Sequence, residues 1–159
     1  MFEIVAMTRE DALVISHWQY EGEYEMYNFE ETQELLNELT DGSYFACYHQ
    51  ENGLVGYFCF GNSARIPLSD EEQSVYQKQL LDIGLGMDPQ LCGQGKGMDF
   101  MKAGLTFARQ QFHADGFRLT VASFNQRAIK LYQKIGFVKT AQVSHRCSKM
   151  AFDIMEYRA

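Results

Sequence analysis

Apolar positions along the chain follow two rhythms, a period of two that reads as half-buried strand and a period near 3.6 that reads as amphipathic helix. Phe2 to Ala6 is a short first strand. Thr8 then caps a helix running to about Trp18, with Asp11 three residues on forming a weak capping box. Tyr20, Tyr24, Tyr27 and Phe29, interleaved with Glu21, Glu23 and Glu25, repeat every three or four residues. They lead into a second helical pattern through Leu35, Leu36 and Leu39, which Asp41 and Gly42 stop. Tyr44 to His49 and Leu54 to Gly61 are strands rich in aromatic and β-branched residues, and Glu51-Asn52-Gly53 between them is hairpin-turn chemistry. Arg65 to Glu72, with Pro67 and a run of acids, reads as a loop.

Leu80 to Met87 is the next strand, ending at Asp88 and Pro89 before a cluster of glycines. Met98 to Phe112 is an amphipathic helix with Met98, Met101, Leu105, Ala108 and Phe112 on one face. Phe117 to Val121 is a strand, and Gln126 to Ile135 a helix ended by Gly136. Val138 to His145 and Met150 to Tyr157 are the closing strands. Without repeat, linker or low-complexity segment, residues 1–159 read as one domain.

Composition agrees, since 159 residues with 46% apolar and 22% charged side chains suffice to bury a core. No apolar run approaches the roughly 18 residues that span a bilayer, so a cytoplasmic protein with no membrane partner is expected. Cys47, Cys59, Cys92 and Cys147 form no Cys-x-x-Cys pair, and His17, His49, His113 and His145 show no metal spacing, so no metal is implied. The net charge of -7 hides an asymmetry: residues 1–95 carry three basic against seventeen acidic side chains, and residues 96–159 eleven against four. That polarity suits a cationic ligand on one side and an anionic one on the other, and it argues against nucleic acid. Monomer and homodimer both remain open.

Gly93, Gly95 and Gly97 stand between a strand and a helix, where the backbone must turn tightly and can present bare amides to an anion. A Walker loop is excluded because Lys96 is followed by Gly97 rather than Ser or Thr, and the dinucleotide pattern Gly-x-Gly-x-x-Gly is not met. The run Asp88-Pro89-Gln90-Leu91-Cys92-Gly93-Gln94-Gly95-Lys96-Gly97 resembles the acyl-CoA pyrophosphate loop of the GNAT superfamily of N-acetyltransferases, Arg/Gln-x-x-Gly-x-Gly/Ala. Gly95 and Gly97 match its small positions; Cys92 stands where the family has Arg or Gln. The resemblance implies that main-chain amides of Gly93, Gln94, Gly95, Lys96, Gly97 and Met98 hold the pyrophosphate, with Cys92 also in the cofactor-binding loop. It also implies that backbone groups near Leu85 and Met87 pair with the pantetheine arm.

Asn125 caps the helix that follows, Gly136 terminates it, and Ala128, Leu131, Tyr132 and Ile135 share a face. The same stretch is similar to the second GNAT motif, Asn-x-x-Ala-x-x-Leu-Tyr-x-x-x-Gly-Phe, at Asn125, Ala128, Leu131, Tyr132, Gly136 and Phe137. By that resemblance Tyr132 protonates the departing CoA thiolate and Asn125 touches the cofactor arm. A phenol of ordinary pKa about 10 is suited to protonating a thiolate of comparable basicity. The fold implied is mixed α/β: a central, mostly antiparallel sheet of about seven strands with helices on both faces. The reaction implied is direct transfer from acetyl-CoA to a primary amine, of a protein N-terminus or of a small molecule.

Attack on a thioester needs a neutral amine, and Asp82, Glu21 and Glu23 are the candidate proton acceptors. Trp18, Tyr20, Tyr24 and Tyr27 look like the early helices of GNAT members near the ribosomal-protein N-terminal acetyltransferases, and acids beside aromatics suit a cationic substrate. Two alternatives stand beside this reading, a non-catalytic acyl-CoA sensor and an acetyltransferase of polyamines or other metabolite amines.

Overall fold

The strand rhythm is realised seven times, as β1 (Phe2–Ala6), β2 (Tyr44–His49), β3 (Gly53–Phe60), β4 (Leu81–Met87), β5 (Gly116–Ala122), β6 (Val138–Ser144) and β7 (Ala151–Arg158). The helical rhythm gives α1 (Arg9–Ser16), α2 (Gln33–Leu39), α3 (Gly97–Phe112) and α4 (Gln126–Ile135). The computed structural model describes residues 1–158; Ala159, the last residue of the expected domain, lies outside the described residues. The strands form one sheet in the order β1-β2-β3-β4-β5-β7-β6. Pairing is antiparallel for β1 with β2, β2 with β3, β5 with β7 and β6 with β7, and parallel for β4 with β5. The mixed α/β fold with a mostly antiparallel seven-stranded sheet is therefore the one expected.

The chain divides into two compact units, each built from two stretches: Met1–Cys59 with Leu85–Gly104, and Phe60–Gly84 with the chain from Leu105 onward. In the first, Thr8 and Asp11 close a complete capping box at the start of α1. Asp11 also accepts from the Tyr48 hydroxyl, which pushes that phenol up to about 12. Phe58 and Phe100 stack with ring centroids 4.5 Å apart. Gly104 allows that packing, because a Cβ there would lie 2.3 Å from the Phe58 ring. Gly56 is constrained likewise, between the Phe100 ring and the Gly86 carbonyl. In the second unit, Leu68, Tyr76, Ala122, Val143, Phe152 and Ile154 form a buried cluster.

Three local expectations are corrected. The tyrosine-rich segment is a 3-10 helix, Gly22–Tyr27, with no buried residue, instead of a continuation of helical packing. It begins at Gly22, whose φ of 62° lies in the left-handed region, six residues beyond the end of α1 at Ser16. The acidic run after Pro67 is not irregular loop but a 3-10 helix, Asp70–Tyr76, preceded by another at Gly61–Ala64. Phe112, placed on the buried face of α3, is 41% exposed, and Phe100 on the first turn is buried in its stead.

Candidate active site

In the first unit β4 ends at Met87, and the chain turns at once: the Asp88 amide donates to the Val55 carbonyl at 2.8 Å, and the Leu91 amide to the Asp88 carbonyl at 2.8 Å. The Asp88 carboxylate accepts from the Gln90 amide at 3.0 Å, an Asx turn that starts the loop. Gly93 and Gly95 both sit at φ 77°, in the left-handed region that other residues avoid. Both are exposed, and a Cβ at Gly95 would meet nothing within 4 Å, so conformation rather than space requires glycine there. α3 opens at Gly97, two residues beyond this second left-handed turn. Its first amides lack intrahelical acceptors and carry the positive end of a 16-residue helix.

Two side chains of this loop are turned back on it. Gln94 Nε2 donates to the Gln90 carbonyl at 2.7 Å. Cys92 Sγ lies 3.7 Å from the Met87 carbonyl and 3.6 Å from that of Asp88. Leu85, Met87, Cys92, Gly93, Gln94, Gly95, Lys96, Gly97 and Met98, all expected to contact the cofactor, thus form one continuous strand, loop and helix start.

The same unit holds an aromatic cluster that the sequence showed only in part. The Tyr20 hydroxyl donates to the Met87 carbonyl at 2.6 Å. Burial, with Cys92 and Asp88 nearby, pushes its phenol above the ordinary range. Tyr57 on β3 packs against Gly86, where a Cβ would lie 2.3 Å from its ring. Burial, with Tyr20 and Cys59 beside it, raises the Tyr57 phenol too. Tyr27 meets Tyr20 edge-on at 6.2 Å and stacks with Tyr24 at 6.4 Å. Glu21, Glu23 and Glu25 are exposed on this segment. Tyr57 went unremarked in the sequence because alternation assigned it only to a strand; the Tyr57-Gly86 approach pairs residues from two separate strands.

In the second unit Asn125 caps α4, its Oδ1 accepting from the Ala128 amide at 3.2 Å, and Gly136 ends the helix at φ 126°. Tyr132 is 7% exposed, with its ring 6.0 Å from that of Phe137. Asp82 has a different setting from the one its candidacy as a proton acceptor requires. It is 1% exposed; Oδ1 accepts from Arg118 Nε at 2.7 Å, and Oδ2 from Arg118 Nη2 at 2.7 Å and Arg65 Nε at 2.8 Å. Arg118, fully buried, also donates to the carbonyls of Val75 and Lys78, each at 3.2 Å. Three arginine donors thus engage both oxygens of this buried carboxylate, a setting suited to a structural anchor. Asp82, Asn125 and Tyr132 belong to the second unit, whereas Glu21 and the glycine loop belong to the first.

Among the described residues no group of three or more His, Cys, Asp or Glu is arranged to hold a metal, and no helix is long and apolar enough to cross a membrane. A search of curated proteins gives no match. Among solved structures, a chimera of spermidine N-acetyltransferase from Vibrio cholerae and hSSAT is similar at TM-score 0.75 and 17% identity, covering 99% of this chain and 95% of that one. An acetyltransferase (GNAT family) from Bacillus anthracis is similar at TM-score 0.73 and 14% identity, covering 99% and 94%. At these identities the likeness concerns the fold. The sequence model of the Acetyltransferase (GNAT) family matches residues 10–137, which takes in both the glycine loop and the Asn125 to Phe137 motif, and the chain belongs to that family.

Proposed function

We propose that this N-acetyltransferase, which as a family member uses acetyl-CoA as its co-substrate, accepts a primary amine of a small polycation of the spermidine class. The observation that carries the reading is the Tyr20 hydrogen bond to Met87, which sets an acidic, tyrosine-lined segment beside the end of β4. Tyrosine faces and carboxylates together favour a cation with several charges over a peptide with one. Similar solved structures include spermidine N-acetyltransferases, in keeping with such an acceptor. A cytoplasmic setting suits that substrate.

In the proposed reaction, amides of Gly93 to Met98 hold the pyrophosphate, and main-chain groups of Leu85 and Met87 align the pantetheine arm. The amine nitrogen forms a bond to the thioester carbonyl carbon, the carbon-sulfur bond breaks, Tyr132 gives its phenolic proton to the thiolate, and the proton then shed by the acylated nitrogen leaves through solvent, from which the phenol is restored. A primary alkylamine of lysine-like pKa, about 10.4, is neutral in only a few parts in ten thousand at pH 7, so it must lose a proton before attack. Glu21 takes that proton through water; Asp82 has no part, since both its oxygens are engaged by arginines. Asn125 supports the cofactor arm from the start of α4.

The test is a panel of acceptors with acetyl-CoA: spermidine, a monoamine of similar length, and a short peptide with a free N-terminus. Spermidine is expected to show a kcat/KM at least about tenfold above the others, an advantage that added salt erodes. Preference for the peptide would overturn the polycation reading and leave the transfer chemistry intact.

A further inference from the structure

Residues Tyr20 to Asn28 form a closed loop stapled at its neck. The Tyr20 amide donates to Asn28 Oδ1 at 2.5 Å, and Asn28 Nδ2 donates back to the Tyr20 carbonyl at 3.3 Å and to Gln19 Oε1 at 3.2 Å. Both main-chain polar groups of Tyr20 are thus held by one side chain eight residues away. Within that neck the chain carries Glu21, Glu23, Glu25, Tyr24 and Tyr27, with no buried residue in its 3-10 helix. Little apolar burial therefore fixes the loop in place. A long-range hydrogen bond starts from its first residue: the Tyr20 hydroxyl to the Met87 carbonyl, the last residue of β4, 67 positions on.

That acceptor has a special place. Met87 joins the strand to the glycine loop, and its carbonyl is also approached by the Cys92 thiol from within that loop. A change in the peptide plane at Met87, as when the main chain here engages a ligand, is felt directly by the Tyr20 hydroxyl. The phenol is partly buried and its acceptor is uncharged, which weakens the competition of water for the bond. The stapled neck leaves Tyr20 no freedom to follow a displaced carbonyl without moving the whole loop.

We propose that Tyr20 is a positioning residue which transmits occupancy of the β4 and glycine-loop region by acyl-CoA to the loop Tyr20–Asn28. This rests on the acyl-CoA reading of the glycine loop given above.

The test is amide hydrogen exchange of the full chain, with and without acetyl-CoA, in the wild type and in Tyr20→Phe, which keeps the ring and removes only the hydroxyl. In the wild type, acetyl-CoA is expected to slow exchange about tenfold or more in both residues 93–98 and residues 20–28. In Tyr20→Phe the protection of 93–98 remains while that of 20–28 falls to less than about twofold. A merely structural hydroxyl would change exchange in the free protein but not its response to acetyl-CoA. Equal responses of residues 20–28 in both proteins would overturn the role of Tyr20 alone, as would a wild type in which only 93–98 responds. No response at 93–98 in the wild type would overturn the acyl-CoA assignment and this coupling with it. If Tyr20→Phe fails to fold, Asn28→Ala, which opens the staple from the other side, must show the same loss of response at 20–28; retention there overturns the proposal.

Discussion

In the proposed reaction the loop after β4 and the helix α4 contribute different parts of the polypeptide. The loop offers its main chain: Gly93 and Gly95 hold left-handed turns, while the Gln94 and Cys92 side chains fold back toward the loop's own carbonyls. The second unit offers side chains on a rigid frame. There Tyr132 is locked in α4 between the Asn125 cap and the Gly136 stop, and β4 begins at a buried Arg118-Asp82-Arg65 cluster. A site made of amides tolerates changes of side chain and is sensitive to changes of conformation; a site made of side chains is the reverse. The departure at Cys92 from the Arg or Gln of the family pattern is intelligible on those terms.

The sharpest contrast comes from removing one carboxylate or one hydroxyl in the second unit. Asp82→Ala leaves Arg118 buried without its counter-charge and is expected to cost about 3–5 kcal/mol of stability, read from urea denaturation. Turnover per folded molecule at low temperature should stay within about threefold of wild type, because the proposed reaction gives this carboxylate no part in the proton transfer. Loss of turnover in a protein of normal stability would restore Asp82 to the mechanism. Tyr132→Phe should do the opposite, lowering kcat about 10²–10⁴-fold while changing acetyl-CoA affinity, measured by calorimetry, less than about twofold. An unchanged kcat would take Tyr132 out of the proton transfer.

In the first unit the effects should be smaller and confined to conformation. Gly95→Ala introduces no clash, so its cost is the left-handed φ itself, about 1 kcal/mol, with acetyl-CoA affinity falling about tenfold as the amides turn away. A calorimetric titration that shows wild-type affinity would mean that the loop does not need that turn to bind its ligand.

How far these features could be read in advance follows the same division. The strands were legible because aromatic and β-branched runs are bounded by turn residues, as at Glu51-Asn52-Gly53 between β2 and β3. The glycine loop and the α4 cap and stop were legible because each depends on residues adjacent in sequence. The anchor at Asp82 was not, since Arg118 and Arg65 reach it from 36 and 17 positions away and nothing in a strand pattern marks an arginine that will be fully buried. Neither was the Tyr20 bond to Met87, for the same reason of separation. The helical spacing of Tyr20, Tyr24 and Tyr27 was real but misleading: spacing specifies a face, whereas Gly22 and the Asn28 staple decide that the segment is a short 3-10 turn on a closed loop.

The smallest expected effect is the one that most directly tests the main-chain half of the comparison. Cys92 occupies the position where the family pattern has a long polar side chain, yet its sulfur rests against two carbonyls at distances that a thiol donor bridges only weakly. Cys92→Ala removes that weak contact and nothing a ligand would use, so acetyl-CoA affinity should stay within about threefold of wild type, under about 0.7 kcal/mol. Stability should change by no more than about 1 kcal/mol, because the residue is only partly buried. Cys92→Arg supplies the family side chain, and an amide-built site should gain from it no more than about threefold in affinity, mostly lost at high salt. A tenfold loss in Cys92→Ala, or a tenfold gain in Cys92→Arg that survives salt, would show that side chains contribute to this loop as they do to α4, and the contrast between the two regions would no longer hold.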